Sequence, residues 1–195
     1  MNILNSAKSI QLMMKFIILN SSLCIIFLFQ TTKILAQDSL NFPTPTGNPN
    51  QLFFLQRTQN TNTVIYELNM KKGLIDSLEP VHAFWICYAE KSQREELTEL
   101  QRKRAYGLVA KYISKDHYEL RFLAKKKYSI ELMKGKDNNY HVYDQINQKQ
   151  AILTRVYLQI HGGTVFSPTI EYVLLNGIDP ETGLVVSEKK IMKAD

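Results

Sequence analysis

The sequence predicts a mainly β protein on the border with the α+β class, and three observations support this. Segments with alternating apolar and polar residues recur from residue 51 onward, short polar turns separate the later segments, and one segment alone has a helical pattern. Strands joined by such short turns are antiparallel neighbours. We therefore expect an antiparallel meander of about ten strands that forms a barrel or a two-sheet sandwich, with one helix inserted after the third strand.

The N-terminal segment has the features of a secretory signal peptide. An apolar run from Phe16 to Phe29 follows Lys15, and it is shorter than the ~20 residues that a membrane-spanning helix needs. With Met14 as an alternative start and cleavage after Ala36, residues 1–36 form the signal peptide; the alternative is an uncleaved anchor. The expected destination is the periplasm, the cell envelope or the medium, with membrane contact only through the cleaved segment.

Composition argues for one ordinary globular domain and against a nucleic-acid partner. The chain has 195 residues and a net charge of +6, but Lys8, Lys15 and Lys33 lie in the predicted signal peptide, which leaves an excess of +3 elsewhere. Cys24 lies there too, so Cys87 has no partner for an intramolecular disulfide. Its apolar strand indicates a buried, inert thiol rather than a nucleophile.

An extended lead-in precedes a single β-rich domain. Residues 37–50 contain Pro43, Pro45 and Pro49, which favour an extended path without regular hydrogen bonding. The β-rich domain is expected at residues 51–193, with no second domain and no internal repeat.

The domain begins with a hairpin and a central strand. Leu52–Thr58 and Thr63–Asn69 form the hairpin, with a turn at Gln59–Asn62. The third strand, Val81–Glu90, is apolar on both faces, which is typical of a strand covered on both sides. Its Trp85 is therefore expected to be buried.

One helix follows the third strand. Ser92 and Glu95 have the spacing of a capping box, in which the serine caps the helix and the glutamate returns a hydrogen bond. The helix then continues through Leu100 to Tyr106. Gly107 is expected to end it in a left-handed conformation.

The remaining strands follow this helix in quick succession, and the longest of them carries the most polar face. Their expected ranges are Leu108–Ser114, Tyr118–Lys125, Tyr128–Lys134, Tyr140–Ile146, Gln150–Ile160, Thr169–Asn176 and Leu184–Ile191. In the longest strand, one face is expected to lie on the core: Ile152, Thr154, Val156, Leu158 and Ile160. The other face is Leu153, Arg155, Tyr157, Gln159 and His161.

This second face is the candidate binding site. A cation, a hydroxyl, an amide and an imidazole could orient a small or extended ligand, and the glycines after the strand would let backbone approach it. The candidate residues are Arg57, Arg155, Tyr157, Gln159, His161, Gly162 and Gly163. The alternative for Arg155 is a salt bridge to a glutamate of a neighbouring strand on the solvent side.

No metal or cofactor site is predicted. The histidines lack the short spacing of metal ligands, and no glycine-rich phosphate loop is present. We favour a non-enzymatic ligand-binding or interaction module over a hydrolase-like enzyme with a site around Arg155, Tyr157 and His161, because no nucleophile with its base is visible. A purely structural module is a third alternative, and the oligomeric state is open.

Several blocks of the chain resemble a known bacterial family, the domain of unknown function 4833. The blocks are Leu52 to Thr58, Asn60, Asn62 to Tyr66, Pro80-Val81, Trp85, Leu97-Thr98 to Leu108, Tyr157 to Gly163 and Tyr172 to Gly183. The resemblance spans about residues 42–191. It implies a secreted or envelope-associated bacterial domain and does not indicate a substrate.

Overall fold

The computed structural model describes residues 42–164 and 167–192, so the predicted signal peptide lies outside the described residues. The strands are β1 Gln51–Arg57, β2 Asn60–Leu68, β3 Met70–Lys71, β4 Leu74–Ile75, β5 Val81–Cys87, β6 Gln93–Glu96, β7 Leu108–Ser114, β8 His117–Phe122, β9 Ser129–Lys134, β10 Tyr140–Ile146, β11 Lys149–Gly163, β12 Pro168–Ile178 and β13 Val185–Ile191. One short helix, α1, covers Glu99–Gln101 and continues as a π-helical turn over Arg102–Tyr106.

The mainly β class is confirmed, but the sheet is mixed rather than antiparallel throughout. Eleven strands form one curled sheet in the order β6-β5-β2-β1-β11-β10-β9-β8-β7, and β12 and β13 extend it from β11. The sheet has the form of a half-barrel. The remaining strands, β3 and β4, form a separate small hairpin, so the described part of the chain has more strands than the expected ten or so.

The exception to the antiparallel pattern is the pair β1–β11, which is parallel. Val156 pairs with Leu55 on one edge of β11 and with Leu175 on the other. Ile152 pairs in the same way with Tyr143 of β10 and with β12. Strand β11 is therefore long enough for β10 and β1 to share one edge in succession, which a simple meander does not allow.

The first hairpin and the central strand are confirmed. Phe54 pairs with Ile65 across β1 and β2, although the turn is shorter than expected because β2 already begins at Asn60. Strand β5 is flanked by β2 and β6, and Trp85 is only 6% exposed. Residues Tyr88–Glu90 form a 3-10 turn instead of continuing the strand.

The predicted capping box at Ser92 is wrong. Residues Gln93–Glu96 form β6, in which Glu95 pairs with Trp85 of β5, and Ser92 has a positive φ of 58°. Strand β6 satisfies backbone groups of β5 that a helix at this position would leave unpaired. Because β3, β4 and β6 precede it, the helix follows the sixth strand and not the third.

The helix begins instead at Thr98, six residues later than expected. The Thr98 Oγ1 accepts a 3.2 Å hydrogen bond from the Gln101 backbone N–H, and the Gln101 Oε1 accepts a 2.9 Å bond from the Thr98 N–H. Gly107 does not adopt the predicted left-handed conformation, since its φ is −66°. A Cβ at Gly107 would lie 2.1 Å from the Arg102 carbonyl oxygen, so close packing excludes a larger residue there.

The main core fills the concave side of the sheet and ties the π-helical turn to it. Phe53 stacks on Tyr66 at 4.3 Å, and the Tyr66 hydroxyl donates a 2.9 Å hydrogen bond to the Tyr106 carbonyl. Trp85 meets the Tyr106 ring edge-on at 4.9 Å. Cys87 is buried in the same cluster. Among the described residues, no helix is long and apolar enough to span a bilayer.

Candidate functional site

Strand β11 contains a register irregularity, and the side chains before and after it therefore do not alternate between the two faces of the sheet as predicted. The β11–β12 register shifts between Leu153 and Arg155, so the simple alternation is lost there. Leu153, Val156 and Leu158 consequently line one cleft on the concave side. Leu153 was expected on the polar face, and this assignment is wrong because the irregularity inserts an extra residue into the alternation.

Three of the predicted site residues do lie together on the opposite face. The Arg155 Nε donates a 2.8 Å hydrogen bond to the Gln56 Oε1, and the guanidinium lies 5.4 Å from the centre of the Tyr157 ring. The Tyr157 hydroxyl donates a 2.9 Å bond to the Gln159 Oε1. Arg155 thus pairs with the buried amide of Gln56, and not with a glutamate as the alternative supposed. The partial burial of Arg155 lowers the pKa of its guanidinium.

The lead-in covers this face. The Gln56 Nε2 donates a 2.9 Å hydrogen bond to the Pro43 carbonyl, and the Phe42 ring lies 5.7 Å from the Tyr157 ring. Pro45 and Tyr157 are buried. Residues 42–45 therefore occupy space that a ligand at Arg155 and Tyr157 would need.

The other predicted site residues on β11 lie at its exposed end. His161, Gly162 and Gly163 are all exposed. Gly163 has a φ of +82°, and a Cβ there would lie 2.3 Å from the Ser167 carbonyl oxygen, so the tight turn into β12 requires glycine. A ligand contact of these residues stays a prediction.

Arg57 is separated from the others by the sheet itself. It pairs with Leu158 in the parallel register, whereas Gln56 pairs with Tyr157, so Arg57 and Arg155 lie on opposite faces. The Arg57 guanidinium lies 5.3 Å from the centre of the Trp85 ring and 5.7 Å from that of Tyr106. These contacts place Arg57 on the concave side.

The concave side also holds an apolar cleft of about 240 Å³. It lies between the β1, β11 and β12 strands on one side and the segments around residues 105 and 122–128 on the other. Its lining is Leu55, Ala105, Phe122, Ala124, Lys125, Tyr128, Leu153, Val156, Leu158, Ile170, Val173, Leu175, Lys190 and Met192. A concave, mostly apolar space with few polar groups is the usual form of a small-molecule site.

The polar groups of this cleft differ in whether they are already hydrogen-bonded or ion-paired within the protein. The Lys190 Nζ donates a 3.2 Å hydrogen bond to the Gln145 carbonyl and lies 3.5 Å from the Glu188 carboxylate. Lys125 is exposed and forms no ion pair within the described ranges. The Tyr128 hydroxyl donates to the Asp144 carboxylate, whose pKa burial raises.

Two further clefts are less suited to an apolar ligand. One of about 790 Å³ lies between the β3–β4 hairpin and the β9–β10 turn, with Asp116, Lys134 and His141 in its lining. Another, of about 200 Å³, lies beside residues 78–81 and β7. Neither Arg155 nor His161 lines any of these three clefts.

Cys87, Glu90 and Glu95 form a small group whose sulfur and carboxylate oxygens lie within 4.8 Å of one another. Burial and the two carboxylates raise the pKa of the Cys87 thiol. Exposed acidic groups such as Glu90 and Glu95 are common without a bound ion, and we assign no metal here.

Comparison with known proteins agrees with the resemblance seen in the sequence. A family model described as a domain of unknown function, DUF4833, matches residues 53–189. The chain belongs to the DUF4833 family. Searches of curated proteins and of solved structures found no match. The DUF4833 match includes every cleft residue from Leu55 to Leu175, and only Lys190 and Met192 follow it.

The position and the mainly aliphatic lining of the cleft in this DUF4833 domain were not predicted from the sequence. Val156 and Leu158 were expected to fill a core, and apolar side chains that fill a core are of the same type as those that line a cleft. The only local signal was a lysine run, residues 125–127, beside the apolar Phe122 and Tyr128. Such a run is equally typical of a solvated turn.

Proposed function

We propose that this DUF4833 protein is an exported, non-enzymatic binding protein of the bacterial cell envelope. The ligand is a small, mostly apolar molecule that occupies the cleft between β11, β12 and residues 122–128. The observation that carries this proposal is the cleft itself, about 240 Å³ in volume and lined by aliphatic and aromatic side chains. Its size is just below the ~300–1,000 Å³ of sites for drug-sized ligands, which favours a smaller molecule.

The chemistry of the lining supports binding rather than hydrolysis. The described side chains that line the cleft include no serine, threonine, cysteine, histidine or carboxylate, so the commonest pairs of a nucleophile and its base are absent from them. Each methylene group that leaves water in such a cleft contributes about 0.8 kcal/mol. At the hydrolase-like alternative site, Tyr157 is buried, and Arg155 is half-buried with its Nε bonded to Gln56, which limits the access of a substrate to this pair.

Calorimetric titration with octanol tests this proposal. We expect saturable binding at one site of the purified protein, and weaker binding after Val173→Phe, because the larger ring fills part of the cleft. Val185→Phe is the matched control: Val185 is 78% exposed and does not line the cleft, so the same substitution there should leave binding unchanged.

Thermal melting of both variants verifies that they remain folded. The proposal fails if the parent protein shows no saturable binding of octanol. It also fails if folded Val173→Phe binds octanol as well as the parent does.

A further inference from the structure

Arg57 is a partly buried cation whose hydrogen-bonding capacity is incompletely used. Its Nε is buried without a hydrogen-bond partner. Within residues 42–164 and 167–192, no carboxylate oxygen lies within 4 Å of its guanidinium, whereas Arg94 pairs with Glu67 and Arg121 pairs with Glu119. An N–H group that is removed from water without an acceptor is costly, so the buried Nε of Arg57 is the unsatisfied part of this side chain.

Its two aromatic neighbours hold the guanidinium in place but do not neutralise it. The rings of Trp85 and Tyr106 contribute cation–π attraction at 5.3 and 5.7 Å. Burial raises the pKa of Tyr106, and the nearby Arg57 only partly offsets this effect, so the phenol stays neutral. Among the described residues, no carboxylate therefore balances the positive charge of Arg57, and an anionic ligand would do so.

Arg57 is also adjacent to residues that line the apolar cleft. Leu55, two residues earlier on the same face of β1, lines the cleft, and so does Leu158, which pairs with Arg57 in β11. Ala105, the neighbour of Tyr106 in the chain, lines it as well. Arg57 does not itself line the cleft, but it borders residues that do, so a ligand longer than the cleft would extend toward its guanidinium.

We infer that Arg57 binds the head group of the ligand, and that the ligand is an amphipathic anion with an apolar chain ending in a carboxylate or phosphate. The planar guanidinium matches either oxyanion with two parallel hydrogen bonds. The lysines of the cleft are less suited, because Lys190 is already bonded to Gln145 and near Glu188, and Lys125 is exposed to water. This inference rests on the proposed function and specifies its ligand.

The protein contains a built-in reporter for this contact. Trp85 is the single tryptophan of the chain and lies against Arg57. An anion that binds the guanidinium changes the electrostatic field at the indole, so the fluorescence of Trp85 should respond to a charged head group. A merely structural arginine would produce no such difference between charged and neutral ligands.

The experiment compares octanoate, octyl phosphate and octanol, which share one apolar chain. We measure affinity by calorimetry and Trp85 emission by fluorescence for the parent, for Arg57→Gln, for Lys125→Gln as the competing cation of the cleft, and for the matched control Arg121→Gln, an exposed arginine that does not line the cleft. We expect at least one of the two anions to bind about tenfold more tightly than octanol and to shift Trp85 emission. Arg57→Gln should abolish this preference while octanol still binds, and the control Arg121→Gln should retain it.

Other outcomes overturn the inference and separate it from the proposed function. If the parent binds the anions and octanol with equal affinity, Arg57 does not bind a head group, but the apolar cleft is still a binding site. If the preference for anions survives Arg57→Gln and disappears in Lys125→Gln, then Lys125 and not Arg57 binds the head group. If none of the three compounds binds, the proposed function fails as well.

A second variant covers the case in which Arg57→Gln does not fold. Arg57→Lys keeps the charge but lacks the planar fork, so the preference for the anions should decrease. An unchanged preference in Arg57→Lys, together with an unchanged Trp85 response, also contradicts the inference.

Discussion

The Nε of Arg155 donates a 2.8 Å hydrogen bond to the Oε1 of Gln56, 99 residues away in the chain. Gln56 is 1% exposed, and its Nε2 contacts both the Pro43 carbonyl, at 2.9 Å, and the Thr63 hydroxyl, at 3.2 Å. One amide thus connects β1, β2, β11 and the lead-in. It supplies the acceptor that a partly buried guanidinium needs in place of a carboxylate.

Replacing Gln56 by leucine should destabilise the protein by about 1.5–3 kcal/mol, because Arg155 would lose its acceptor while remaining partly buried. Urea denaturation measures the loss. Gln145→Leu is the control, since that side chain is exposed on β10, and it should change stability little. If the two residues act as a pair, Gln56→Leu and Arg155→Leu together should cost less than the sum of the single variants; strict additivity would contradict this.

The capping box at Thr98 should be measurable as well. Thr98→Ala removes the side-chain acceptor of the Gln101 N–H and should cost about 1 kcal/mol. Ser92→Ala is the matched comparison and should change stability by no more than about 0.5 kcal/mol, because Ser92 does not cap the helix. Thermal or urea denaturation measures both losses of stability. A larger loss for Ser92→Ala than for Thr98→Ala would support the capping box predicted at Ser92.

Asp137 should give the protein an acid-sensitive contribution to stability. A hydrogen bond from His141, followed by bonds from Asn139, lowers the pKa of Asp137 from 3.8 to about 2. Because the folded pKa lies below the unfolded one, the stabilisation is present above the ordinary pKa and disappears as the pH falls through the folded value.

Asp137→Asn should therefore be less stable than the parent at neutral pH, and the two should converge as the pH approaches about 2. Urea denaturation over a series of pH values measures the gap. A difference that stays constant with pH would show that Asp137 does not act through its ionisation.

Export remains a prediction from the sequence and has a direct measurement. Mass spectrometry of the mature protein should find an N-terminus close to Gln37 in an envelope or secreted fraction. Replacing Ala36 by arginine should prevent cleavage, because the site requires a small residue. A cytosolic protein that still begins at Met1 or Met14 would exclude export.

Local patterns predicted the strands well. The alternation of apolar residues identified β1, β2 and the later strands, and the two apolar faces of β5 predicted that Trp85 is buried. The sequence also contains two competing capping boxes, at Ser92 and at Thr98. Their local chemistry is equivalent, so no property of the segment itself selects between them.

Tertiary pairing made that selection and created the cleft. Residues Gln93–Glu96 became a strand because β5 offers them an edge, and β1 joined β11 in parallel because β11 extends beyond β10. The register shift after Leu153 then placed Leu153 on the same face as Val156 and Leu158, in a cleft beside Arg57. Side-chain periodicity is a property of neighbouring residues and is readable from sequence, whereas strand partners and register depend on contacts between distant segments.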